Sequence, residues 1–259
     1  MMKTCAHCRL RKPLADFYRS KQWNDGRHPY CRPCLLEYQR RCRFEKLDAE
    51  RPERRQWSRR FVRHEYFRTL TFPRQAYVLG LLASDGNVFG TRVSLELAVK
   101  DTELVELVRD QLAPSVALRS RRRATRGYVI FSISSRPLVG DLASLGVVER
   151  KSRTFRWPEE LPISLARPFL LGYFDGDGFI TWSRTQHWVY PRWGLLGTEG
   201  FLEAVNDLLA AELGIRRRRL EGRAGCHRLS VSGRDAFVVD KWLHEGFEFG
   251  LGRKRFTGD

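Results

Sequence analysis

No run of apolar residues in this 259-residue chain reaches membrane-spanning length, which excludes a helical transmembrane protein. The opening Met1-Met-Lys-Thr-Cys5 lacks the apolar core of a secretory signal, so the expectation is a soluble, cytoplasmic protein in a reducing compartment. There the six cysteines argue for metal rather than disulfides. Acid is also scarce. Asp and Glu number 30 against 47 Lys and Arg, a formal charge of +17 with a pI of about 10.2. In a chain of ordinary apolar content that imbalance points to a polyanionic partner, nucleic acid first, although composition does not separate DNA from RNA, ribosomes or an acidic membrane. Residues 1 to 70 hold 19 Lys and Arg against 8 acids, and the remainder 28 against 22, so the positive charge is concentrated at the front.

What the chain does contain begins with two cysteine knuckles. Cys5-x2-Cys8 and Cys31-x2-Cys34 are separated by 22 residues and offer the four soft thiolates that tetrahedral Zn2+ prefers. Asn24-Asp-Gly26 between them suits a hairpin turn, and Pro33 suits the first turn of a helix through Leu35-Leu-Glu-Tyr-Gln. That order is treble-clef-like, and residues 1–47, including Lys12-Pro-Leu-Ala-Asp-Phe-Tyr18, resemble small zinc modules attached to phage and bacterial endonucleases. The zinc is expected to be structural. His7, His28 and Cys42 are read as ordinary residues outside the ligand set. Residues 48–71 form a basic linker with interspersed aromatics, either a solvated spacer or an arm that follows phosphates without reading sequence.

The rest is organised around a stretch that occurs twice, with Asp85 and Asp177 at equivalent places: Tyr77-Val-Leu-Gly-Leu-Leu-Ala-Ser-Asp85-Gly and Phe169-Leu-Leu-Gly-Tyr-Phe-Asp-Gly-Asp177-Gly. Gly80 with Ser84, and Gly172 with Gly176, are four apart and so share a helix face that permits close approach of two such helices. Gly86 and Gly178 are expected to stop the helices as C′ glycines. Asp85 and Asp177 then lie side by side, an arrangement that a divalent metal with oxygen ligands would relieve.

Each copy is followed by the same series. Alternation over Arg92–Val99 marks a strand, and Asp101-Thr-Glu-Leu marks a capping box at the start of a helix. Strands follow over Val116–Arg123 and Gly127–Ser134, then a helix over Arg136–Leu145. After the second copy come strands at Phe179–Arg184 and Trp188–Leu196, a helix over Glu199–Leu213, strands around Ile215–Leu220 and His227–Ser232, and a last helix. The fold class is therefore α+β, two αββαββα repeats at 72–157 and 158–259 related by a pseudo-two-fold axis in a monomer.

The twin motifs resemble those of the LAGLIDADG homing endonucleases over roughly residues 72–256. That resemblance implies two four-stranded sheets forming a saddle on double-stranded DNA. It also implies Mg2+ or Mn2+ held by Asp85 and Asp177 with the carbonyls of Ser84 and Gly176, and Lys151 and Lys254 acting beside them. Asp175 matches the family's earlier acid, whereas the first copy has Ala83 there. On the DNA-facing strands the expected contacts are Arg92, Arg119, Arg121, Arg123, Tyr128 and Ser132 in the first half. In the second they are Arg184, Arg192, Arg216, Arg218 and Arg228. The implied activity is site-specific, metal-dependent cleavage of both DNA strands. A non-cleaving RNA maturase or DNA-binding regulator on the same fold is the alternative, and an intein is disfavoured by the absence of a terminal His-Asn.

Overall fold

The computed structural model describes residues 2–39, 62–223 and 226–256, so Cys42 and most of the expected linker lie outside the described residues. The chain divides into two compact units, Met1–Arg60 and Phe61–Asp259. None of the described helices is long and apolar enough to cross a membrane.

In the first unit β1 (Met2–Thr4) pairs antiparallel with β2 (Arg11–Pro13). The turn between them carries the first knuckle, closed by Cys5 N–H to Leu10 O at 3.0 Å and by Arg9 in the left-handed region at φ 62°. The second knuckle opens helix α1 (residues 32–39) with Pro33 in its first turn, where a missing N–H is harmless. Gly26 at φ 67° makes the expected turn, closed by Ser20 N–H to Gly26 O at 3.0 Å. The interior consists of Phe17 and three buried cysteines, with Cys8 and Tyr30 packed against them. The four sulfurs lie within 4.8 Å of one another, a set able to hold one metal ion.

The second unit is built from two copies of one series. The first runs α2 (Pro73–Ser84), β3 (Gly86–Phe89), β4 (Arg92–Ala98), α3 (Thr102–Leu112), β5 (Arg119–Arg123), β6 (Arg126–Ser134) and α4 (Arg136–Ser144). The second runs α5 (Ala166–Asp177), β7 (Gly178–Arg184), β8 (Val189–Gly197), α6 (Glu199–Leu213), β9 (Glu221–Arg223), β10 (Cys226–Ser232) and α7 (Arg234–His244). Each copy makes a four-stranded antiparallel sheet, in the orders β3-β4-β6-β5 and β7-β8-β10-β9. One face of each sheet is buried, through Val93, Leu95, Phe131 and Ile133 in the first and Trp193, Leu195, Leu229 and Val231 in the second. Helix α2 is buried at every residue from Ala76 to Ala83, as its all-round apolar sequence requires of a central helix.

Three local expectations are corrected. Residues 214–220 form no strand, and β9 begins only at Glu221 and is three residues long. Arg216 to Arg219 leave that stretch no apolar alternation, and two of these arginines are drawn to acids on helices. Asp101 makes no capping hydrogen bond to α3; its two carboxylate oxygens instead accept from Arg253 Nε and Nη2, both at 2.8 Å. A bidentate, charge-assisted pair outcompetes one cap bond, and sequence gives no sign of a partner 152 residues away. Finally, Gly86 and Gly178 do not adopt the left-handed C′ conformation. Both begin strands directly, and glycine is required because a Cβ would sit 2.5 Å from Leu82 O at one and 2.1 Å from a Phe174 ring carbon at the other.

Candidate active site at the helix seam

The small residues bring α2 and α5 into backbone contact. A Cβ on Gly80 would lie 2.0 Å from Phe169 O, and one on Gly172 the same distance from Tyr77 O. Farther along, a Cβ on Gly176 would lie 2.0 Å from Ser84 Oγ and 2.9 Å from Asp85 Oδ2, so the two helices end against each other with both acids at the junction. Across the seam Tyr77 donates its hydroxyl to Asp175 Oδ2 at 2.6 Å, and the same buried oxygen accepts Leu251 N–H at 3.0 Å. Asp175 thus joins both motif helices to the C-terminal segment. Burial raises its pKa, and these two hydrogen bonds work against the rise.

Asp85 follows the last turn of α2 and donates its N–H to Leu81 O at 3.1 Å, while Asp177 ends α5. Surrounding protein denies the Asp85 carboxylate hydration and raises its pKa. The charges of Lys254 and Lys151 offset this in part, and Asp101 adds to it. By accessible surface Asp85 is nonetheless an exposed residue, so water tempers this rise and the carboxylate is open to a ligand. The Asp177 carboxyl is pushed up to about 6, first by burial and then by the charge of Asp85, against the pull of both lysines. Among the described residues no hydrogen bond reaches either carboxylate.

The lysines take up equivalent places. Lys151 Nζ donates to the carbonyls of Ser84 at 3.1 Å and Gly86 at 2.5 Å. Lys254 Nζ lies within 3.0 Å of the carbonyls of Phe174, Asp175, Gly176 and Gly178. Each ammonium therefore caps the C-terminus of a motif helix, where carbonyls without intrahelical partners and the negative end of the dipole favour a cation. Burial lowers both lysine pKa values, and the seam carboxylates pull them back up. The donor set suits a hard divalent cation: two carboxylates without a hydrogen-bond partner among the described residues, beside the Ser84 and Gly176 carbonyls. Each carbonyl already accepts from a lysine and retains a second lone pair.

In the first unit Cys31 N–H donates to Cys5 Sγ at 3.2 Å and Lys12 Nζ to Cys31 Sγ at 3.4 Å, contacts that favour thiolate. His7 and His28 lie edge-on against Tyr30, and neither joins the cysteine cluster.

Strand register sorts the other candidates. Arg92, Arg119, Arg121, Arg123, Tyr128 and Ser132 share the face of the first sheet opposite its buried residues, as do Arg192 and Arg228 in the second. Arg184 does not. It pairs with Val189 and falls on the face of Ile180 and Trp182, where Trp182 packs on Phe237 and Phe256. Arg216 and Arg218 lie outside any strand, and Arg218 is held by Asp235 of α7 at 2.5 Å. Sequence reasoning passed over Tyr77 and Arg253 and gave Asp101 a capping role, because their partners come near only in the folded molecule. It also passed over Glu96, whose place on the open face was legible from the alternation of β4.

No protein-family model matches the chain, and no curated protein does. Solved structures similar to it include the LAGLIDADG meganuclease I-AabMI bound to uncleaved DNA, at 13% identity and a TM-score of 0.47, covering 71% of this chain and 86% of that one. The I-LtrWI LAGLIDADG homing endonuclease bound to target DNA is 12% identical with a TM-score of 0.47, over 69% and 85% of the two chains. The meganuclease I-SmaMI bound to uncleavable DNA is 10% identical with a TM-score of 0.48, over 67% and 84%. Similarity of this degree carries no activity from those proteins to this one.

Proposed function

We propose that the protein is a site-specific, metal-dependent endonuclease that cuts both strands of double-stranded DNA. The observation that carries this reading is the pair of seam acids, Asp85 and Asp177, which end two interlocked helices and have no hydrogen-bond partner among the described residues, with their pKa values raised by the surrounding protein. A two-fold arrangement of acids matches the local two-fold symmetry of duplex DNA, one acid for each strand. Asp85 and Asp177, with the Ser84 and Gly176 carbonyls, are the groups that would hold Mg2+ or Mn2+; when bound, such a metal supplies an activated water and neutralises charge on the scissile phosphate.

The chain's own residues do the rest. Lys151 and Lys254 fix the helix ends that carry the acids and add positive potential where the phosphate would lie. Arginines on the open sheet faces bind backbone and bases, and the basic first unit, its zinc held by Cys5, Cys8, Cys31 and Cys34, adds affinity through phosphate contacts. Asp177 must lose its proton to bind metal, and its carboxyl is raised in the metal-free seam, so cleavage should fall as pH drops, with a midpoint that more Mg2+ moves lower.

The experiment is incubation of the full chain with a randomised duplex library and Mg2+, sequencing of the new ends, then assay of the recovered target in supercoiled plasmid. Asp85→Asn and Asp177→Asn should each slow double-strand cleavage by at least about 100-fold, by analogy with loss of one oxyanion donor, while specific binding persists. Undiminished cleavage by both variants would end this reading.

A further inference from the structure

The two open sheet faces differ more than the repeat suggests. In the first sheet Arg119, Arg121 and Arg123 of β5 pair with Ile130, Tyr128 and Arg126 of β6, whose odd-numbered neighbours Val129, Phe131 and Ile133 are buried. These arginines therefore stand on the open face. Glu96, on the same face of β4, lies 3.0 Å from Arg123 and 3.9 Å from Arg121, and the Arg123 guanidinium lies 5.5 Å from the Tyr128 ring centre. Arg119 has no acidic partner among the described residues.

Among the described residues the second sheet shows no equivalent row. Its outer strand β9 is three residues long and carries one arginine, Arg223, in register with Cys226 on the open face, and two of the four arginines before it are turned toward helices: Arg217 pairs with Glu203 and Asp207 of α6, Arg218 with Asp235 of α7. Arg228 is on the open face but is paired with Glu221 of the neighbouring strand. What remains beside Arg192 is largely hydroxyl-bearing, including Thr181, Ser230 and Ser232.

We propose that the two halves of the DNA target are read by different chemistry, the first sheet selecting guanines in the outer part of its half-site through Arg119, Arg121 and Arg123, and the second sheet making few base-specific contacts. This deepens the endonuclease reading and rests on it. Guanine follows from the guanidinium fork, which matches the O6 and N7 acceptors of the major groove bidentately. The outer position follows from strand order: β3 leaves the seam directly, and β5 lies three strands away, about 14 Å at the usual inter-strand spacing. Glu96 is a positioning residue here. It holds the guanidinium groups on the open face and, being negative, disfavours their settling on phosphate.

The test is binding of the full chain to a randomised duplex library without added divalent metal, followed by sequencing of the bound fraction. The expected motif is lopsided, with guanine enriched in the outer positions of one half only. Arg121→Ala, at a half-exposed position where folding is not at stake, should flatten those positions with roughly a 10- to 100-fold loss of discrimination. Glu96→Gln should flatten the same positions while tightening binding to unselected DNA, a combination that a merely structural role does not produce. Equal guanine enrichment in both halves, or a motif indifferent to Arg121→Ala, overturns the proposal while leaving the DNA reading intact; no duplex binding at all overturns both.

Discussion

Asp177→Asn should make the protein more stable at neutral pH while removing the proposed cleavage activity. The Asp177 carboxyl is displaced from 3.8 to about 6, mainly by burial and then by Asp85. An acid raised in this way keeps a proton that the unfolded chain has already lost, so between those values stability falls as pH rises. The full displacement corresponds to about 3 kcal/mol, at about 1.4 kcal/mol per tenfold change in acidity. Asp177 keeps some contact with solvent and shares its repulsion with Asp85, which leaves roughly 1–2 kcal/mol as the expected gain on neutralisation. For a folded unit of this size that is an increase in melting temperature of about 3–6 °C. The assay is thermal unfolding of both proteins at pH 7.5 and pH 4 in magnesium-free buffer without chelator, since a chelator would strip the cysteine site. The gap should be full at pH 7.5 and mostly closed near pH 4, where the folded state holds the proton and the unfolded chain is close to half protonated. Added Mg2+ should then raise the melting temperature of the parent protein more than that of the variant. A variant no more stable at pH 7.5, or a gap undiminished at pH 4, would refute the claim that the seam strains its own acid.

Cys31→Ala should abolish binding of one zinc per chain, measured by elemental analysis, and remove amide protection from residues 2–39, because an interior of Phe17 and cysteines is too small to fold without metal. Gly80→Ala should cost about 3 kcal/mol or prevent folding, since its Cβ meets the Phe169 carbonyl rather than a side chain able to move; calorimetric melting decides this. Arg253→Ala should cost about 2 kcal/mol by leaving Asp101 without its charged partner, and adding Asp101→Asn should recover part of the loss in urea denaturation.

The repeat was legible because it is written in local periodicities. Alternation gives β4 and β6, helical spacing gives the motif helices, and the four-residue interval of Gly80 and Ser84 gives the face that meets Gly172 and Gly176. Where reading by analogy between the halves replaced local pattern, it failed: a strand was expected around Ile215–Leu220 as in the first repeat, yet no alternation supports one there. The acids that capture Arg217 and Arg218, Glu203, Asp207 and Asp235, sit on helices that come near only after folding. Asp101 failed for the same reason, as its N-cap pattern is local and its actual partner, Arg253, is not.

The lysines explain how the seam keeps its acids available. Two cations beside two carboxylates would ordinarily close into salt bridges, and a closed pair offers nothing to a metal. Here Lys151 and Lys254 direct their donors at backbone carbonyls on either side of each acid, at residues 84 and 86 and at residues 174 to 178. Their charge acts on Asp85 and Asp177 through space, moderating the rise in carboxyl pKa without occupying an oxygen. The C-terminal segment holds Lys254 in this position at both flanks: Leu251 N–H bonds Asp175, Arg253 bonds Asp101, and Phe256 N–H bonds Asp240. Those contacts tie together elements of both repeats, so the spacing between the acids and the placement of the second lysine depend on the same tertiary assembly. A metal entering the seam would relieve a repulsion that the fold maintains rather than displace a bond that the fold has made.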